Sequence, residues 1–105
     1  MSARIYKEIS DEALVRHCLN GDKESMGILY QRNYSNVYFL VLSIIKDKSL
    51  AMDLTQDVFL KVFENLSSFR GNSRFSTWMY AIAGNHSMGF LRKRQETSLN
   101  ELSSI

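Results

Sequence analysis

The sequence predicts an all-α fold, a compact bundle of about four helices forming one domain. Three observations point there. Proline is absent from the 105 residues and glycine occurs only five times, whereas sheet-rich domains need more turn punctuation. Apolar residues recur at helical spacing along most of the chain. Cap and stop residues fall between those stretches. A hydrophobic fraction of 45% with a net charge of +2 suits one folded core and argues against a disordered chain.

Each helix has its own signals. Ser10 precedes the acidic pair Asp11-Glu12, which suits the positive end of a helix dipole. Leu14, Val15, Cys18 and Leu19 then form one apolar stripe, and Asn20-Gly21 supplies a stop. Asp22 caps a second helix running to about Lys46, with Met26, Leu29, Tyr30, Val37, Tyr38, Val41, Leu42 and Ile45 in register. Gly27 and the stretch Asn33 to Asn36 weaken the helical pattern and leave room for a bend within it. Asp47-Lys48-Ser49 is a polar break before a third helix, Leu50 to Leu66. Ser67 to Phe75 reads as a loop. Ser76 or Thr77 caps a fourth helix from Trp78 to about Arg94, and Gln95 to Ile105 reads as fraying helix or linker.

Several function classes drop out. The apolar run Val37 to Leu42 is far shorter than the roughly 20 residues of a membrane span. Met1 to Ile9 holds Arg4, Lys7 and Glu8 and no apolar stretch of signal-peptide length. Cys18 is the single cysteine, which fits a reducing, cytoplasmic setting. His17 and His86 stand far apart, with no metal-ligand spacing, so no metal site and no cofactor are expected. His86 has no carboxylate or nucleophile partner visible in the sequence, and no phosphate loop or nucleophile motif is present. An enzyme is not expected.

Charge is unevenly placed. From Arg70 to Arg94 the basic residues are Arg70, Arg74, Arg92, Lys93 and Arg94, with no acidic one. The third helix instead has Asp53, Asp57 and Glu64 against Lys61. A basic C-terminal third beside an acidic helix suggests two different partners.

On a wheel of about 100° per residue with Leu54 at zero, Val58, Val62, Leu66, Phe59 and Phe63 fall between about 40° and 180°. Gln56, Leu60, Asp53, Glu64 and Asp57 occupy the opposite side, from about 200° to 300°. Leu60 stands amid carboxylates and an amide. It is either a tolerated exposed leucine or a contact for a basic partner helix. The loop Phe69-Arg70-Gly71-Asn72-Ser73-Arg74-Phe75 combines rings that stack on unpaired bases, cations for phosphate and an amide for base edges. The bland alternative is a surface loop whose two phenylalanines plug back into the core. Trp78, Ala81, Asn85 and Arg92 share one face of the fourth helix, and Arg92-Lys93-Arg94 also complements its negative end.

Taken in order, these residues resemble a known family. Leu29-Tyr30-Gln31-Arg32-Asn33-Tyr34, Asp53-Leu54-Thr55-Gln56-Asp57-Val58-Phe59-Leu60-Lys61-Val62, Phe69-Arg70-Gly71, Phe75-Ser76-Thr77-Trp78 and Ile82-Ala83-Gly84-Asn85 are similar to region 2 of bacterial sigma-70-family sigma factors, in particular the extracytoplasmic-function group. The likeness spans about Asp11 to Arg94.

The resemblance implies a transcription initiation domain that binds the clamp helices of the RNA polymerase β′ subunit through Asp53, Leu54, Gln56, Asp57 and Leu60. It further implies recognition and melting of the promoter −10 element. Phe69, Arg70, Gly71, Asn72, Ser73, Phe75, Trp78 and Asn85 would capture the non-template strand, while Arg74, Arg92, Lys93 and Arg94 would hold phosphates. An anti-sigma factor is a further expected partner. Residues 1–94 would form the region 2 domain and 95–105 the start of a linker to a region 4 domain that does not follow in this sequence. Two positions depart from the family pattern: Gly84 where an arginine is common, and Gly89 where an aspartate is. Each glycine costs about 1 kcal/mol of helix propensity relative to alanine, predicting a weaker or bent fourth helix, and the missing cation at Gly84 predicts a weaker DNA contact. Two other readings compete. One is a helical interaction module that keeps the scaffold for a protein partner alone; the other is a generic basic binder of duplex DNA.

Overall fold

The computed structural model describes residues 8–103; residues 1–7 and 104–105 of the expected domain and tail lie outside the described residues. Four helices follow in order: α1 (Asp11–Leu19), α2 (Lys23–Ile45), α3 (Lys48–Glu64) and α4 (Phe75–Ser103). A 3-10 turn, Leu66–Ser68, leads out of α3. No strand occurs among the described residues.

The first three helices start where short polar side chains satisfy free backbone N–H groups. Ser10 Oγ accepts from the Ala13 N–H at 3.1 Å, and Asp22 accepts from the Glu24 N–H at 3.1 Å. Asp47 accepts from the Leu50 N–H at 3.0 Å, which starts α3 at Lys48, two residues before the expected Leu50. Gly21, at φ 93°, turns the chain out of α1 through a conformation that favours glycine.

Gly27 and the stretch Asn33 to Asn36 do not interrupt α2, which is helical from Lys23 to Ile45. Asn33 is buried there, and its side-chain amide donates to the Leu29 carbonyl at 2.8 Å and to the Asp11 carboxylate at 3.3 Å. Satisfied in this way, it bridges two helices instead of breaking one. Arg32 adds a second tie, donating to the Ile9 carbonyl at 2.7 Å and pairing with Asp11 at 3.2 Å.

The fourth helix differs most from expectation. It begins at Phe75, with the Trp78 N–H donating to the Arg74 carbonyl at 3.2 Å. Ser76 and Thr77 therefore lie inside the first turn and do not cap it. Burial of the Phe75 ring, 1% exposed, fixes the start, an effect that outweighs local capping preference. The helix then runs through Gly84, Gly89 and the expected linker to Ser103.

The core lies between these helices. Leu14 and Val15 of α1 meet Leu29, Val37 and Val41 of α2, Val58 and Val62 of α3, and Met79 and Ala83 of α4. Helix α2 packs against each of the other three. Full burial of such side chains stabilises by about 1.5–3 kcal/mol each. From Arg92 onward every described residue of α4 is exposed, so the apolar face ends while the helix continues.

Candidate partner face and nucleic-acid groove

Helix α3 turns its core side inward and leaves Asp53, Gln56, Asp57 and Leu60 exposed together. Leu60 is 60% exposed, a large apolar side chain within an otherwise polar strip. Tyr30 donates nothing to this strip but anchors it: Gln56 Nε2 donates to its hydroxyl at 2.7 Å. The Tyr30 ring is in turn held against Phe59, with centroids 4.7 Å apart. Leu54, expected on the partner face, is instead a core residue at 4% exposure. It stands at the seam of the wheel, between the two faces, and the core takes it.

Past the 3-10 turn, Arg70 to Arg74 form an exposed loop in which Gly71 has φ 77°. The loop is footed on three rings. Phe69 lies edge-on to Phe75 at 5.5 Å and tilted against Trp78 at 5.4 Å, with Phe75 and Trp78 5.7 Å apart. Phe75 is fully buried and Phe69 half-buried. Phe75, expected among the strand-contacting side chains, thus anchors the loop from beneath. Arg70, Asn72, Ser73 and Arg74 remain outward. A recess of about 350 Å³ lies between Phe69, Arg70 and Gly71 and the α1 residues Glu12, Arg16 and Leu19.

A larger groove, about 420 Å³, separates α3 from α4. Trp78, Ile82, Asn85 and His86 form its α4 wall, with Lys61, Asn65 and Ser68 opposite. It continues past Gly89 and Phe90 to Lys93, and Arg94 borders a further recess with Lys93. Arg92 is exposed on the same helix. A half-buried indole, two amides and cations at one end can stack an unpaired base, read its edge and hold its phosphate.

Lys61, Asn65, Ser68, Ile82 and His86 were not among the residues the sequence singled out for this surface. Helical periodicity places Trp78 and Asn85 on one face, but the opposite wall comes from α3 through tertiary packing. His86 also corrects an expectation, because it has a carboxylate neighbour: its Nε2 lies 3.6 Å from Asp57 Oδ2. On α1, burial and the Asp22 carboxylate push the Cys18 thiol up, which keeps it a poor nucleophile at neutral pH. Among the described residues no three His, Cys, Asp or Glu side chains gather as metal ligands, and no helix is long and apolar enough to cross a membrane.

Fold and surface define a small helical module with an acidic, leucine-centred face on one helix and a basic, aromatic groove beside it. Residues 29–97 match the Sigma-70 region 2 family, and the chain belongs to that family. It is 32% identical over 95 residues to the ECF RNA polymerase sigma-E factor of Haemophilus influenzae, covering 90% of this chain and 50% of that protein. Identity is 33% over 84 residues to the RNA polymerase sigma-H factor of Pseudomonas aeruginosa, covering 80% of this chain and 44% of the relative. The sigma-E factor of Escherichia coli K12 is 33% identical over 85 residues. The chain thus spans about half the length of the curated relatives it matches. Among solved structures, an engineered region 2 of sigma-E in complex with GTAAAA superposes with a TM-score of 0.78 at 30% identity, covering 92% of this chain and 97% of that one.

Proposed function

We propose that this chain is a transcription initiation domain that docks on RNA polymerase through α3 and captures the −10 non-template strand along the loop and groove of α4. The observation that supports this reading best is the juxtaposition of two unlike surfaces on adjacent helices. Asp53, Gln56, Asp57 and Leu60 offer acid, amide and one apolar knob to a basic partner helix, here assigned to the β′ clamp helices. Such a centre of one leucine ringed by charges suits a hot spot with electrostatic steering. For the second surface, Arg70 and Asn72 are exposed on the loop, and Trp78 and Asn85 line the groove that follows it.

The work done on DNA is binding work. Unstacking a base costs a few kcal/mol, and each base stacked on an aromatic side chain returns about 1–3 kcal/mol. Arg74, Arg92, Lys93 and Arg94 add phosphate contacts, which make the affinity fall with salt. No catalytic step is assigned to any residue. Such a domain would work in the cytoplasm, where an anti-sigma factor covering the α3 face would silence it.

The direct test is sequence-dependent binding of labelled −10 non-template oligonucleotides by the chain in complex with polymerase core. Discrimination between a matched and a scrambled strand is expected, and Trp78→Ala or Asn85→Ala should weaken the matched one tenfold or so, about the value of one stacked base or amide contact. Equal binding of both strands would overturn this reading in favour of a generic basic binder of nucleic acid, and binding of neither would favour the interaction module.

A further inference from the structure

The outer face of α4 changes character where the core ends. Met88 is 56% exposed, Leu99 58% and Leu102 67%. Leu91 is half-buried at the edge of the core, and Gln95 is exposed. At about 100° per residue these five side chains fall within an arc of roughly 80°. The arc is centred about 80–120° around the helix from Ala83 and Ser87, which are buried in the domain. A neighbouring helix can therefore lie along the stripe without meeting the core. Ser98, near the edge of the arc, donates back to the Arg94 carbonyl at 3.1 Å and brings no unmet hydroxyl to the face. Aligned apolar side chains exposed in this way mark an interaction surface.

We propose that this stripe is the contact between two copies of the chain, packed antiparallel about a two-fold axis at Gln95. The stripe's own symmetry selects the occupant. Met88 and Leu102 stand seven residues either side of Gln95, and Leu91 and Leu99 four either side. Reversing the helix about that point sets Met88 against Leu102 of the second copy and Leu91 against its Leu99. The two Gln95 amides meet at the axis, where each can donate to the other. An isologous interface needs this self-complementarity. Charge agrees with it. Arg92 and Glu96 share one flank of the arc, and the reversal brings Arg92 of one copy within about 3 Å, along the axis, of the level of Glu96 of the other. The two-fold makes that pair twice. A parallel arrangement would instead bring the basic run Arg92-Lys93-Arg94 of both copies to one level, where like charges repel. The contact spans about four turns, short beside a standard interface, so it holds a weak and reversible dimer.

The test is sedimentation equilibrium of the 105-residue chain at total concentrations from about 10 μM to about 1 mM, the range of weak association. The wild type should pass from monomer to dimer across it. Leu99→Lys should weaken the dimer tenfold or more. Arg92→Glu should weaken it about three- to ten-fold, since two ion pairs become two repulsions. Adding Glu96→Arg to that variant reverses both charges and should recover most of the loss. Arg92, Glu96 and Leu99 are exposed, so circular dichroism should match the wild type. A folded wild type that stays monomeric throughout overturns the proposal. So does a dimer that Leu99→Lys leaves untouched, which would place the contact elsewhere. A double variant no better than Arg92→Glu alone overturns the antiparallel register. The inference stands apart from the function proposed above, and its failure leaves that function as it was.

Discussion

Single residues show where the chain spends stability and where it keeps chemistry outward. Ser25, Asn33 and Thr55 are buried polar groups with partners: Ser25 Oγ donates to Asp22 at 2.9 Å, and Thr55 Oγ1 to the Ala51 carbonyl at 2.7 Å. Ser87 is fully buried and its hydroxyl has none. A buried hydroxyl without a partner costs about 1–3 kcal/mol, so Ser87→Ala is expected to raise stability by about 1 kcal/mol in urea denaturation; a loss of that size would mean the hydroxyl is bonded after all. Residue by residue, legibility was uneven. Leu60 was readable as exposed because periodicity alone puts it opposite the apolar arc. Leu54 and Phe75 were not, because membership of a motif does not distinguish side chains that meet a partner from those that hold the backbone in place. The Asp57–His86 contact was unreadable, since it joins two helices with no periodic relation.

At the scale of elements, local chemistry and tertiary packing divide the fold between them. The starts of α1 and α2 could be read from Ser10 and Asp22 because a cap acts within its own turn. The start of α4 depends on the Phe75 ring entering a core assembled from distant segments, and no local signal reports that. The glycines of α4 matter here too. Nothing lies within 4 Å of a Cβ built at Gly84, so alanine there meets no clash and removes unfolded-state freedom. Gly84→Ala should stabilise the domain by about 0.5–1 kcal/mol and raise its melting temperature by a few degrees. A fall in melting temperature would show that the bare backbone at Gly84 is needed for packing. Asn33 does not interrupt α2 for a related reason: helix propensity is a weak prior that a satisfied buried amide overrides.

For the whole molecule, the central point is that one small core holds two surfaces of opposite character side by side, the two that the proposed function assigns to protein and to DNA. Helix α3 borders both, with Asp53, Gln56, Asp57 and Leu60 exposed on its outer strip and Lys61 and the C-cap residue Asn65 lining the groove. Helix α4 extends beyond the core as an exposed rod with Arg92, Lys93 and Arg94 at its root, where they can follow a phosphate backbone. The measurement that tests this account most directly is binding of the chain to a purified β′ clamp-helix fragment, wild type against Leu60→Arg. Leu60 is exposed, so the substitution leaves the core intact and circular dichroism should be unchanged. The account predicts saturable binding by the wild type and a loss of tenfold or more in the variant, as expected for truncating or reversing a hot spot. Equal binding by the two folded proteins would contradict it and move the polymerase contact off α3.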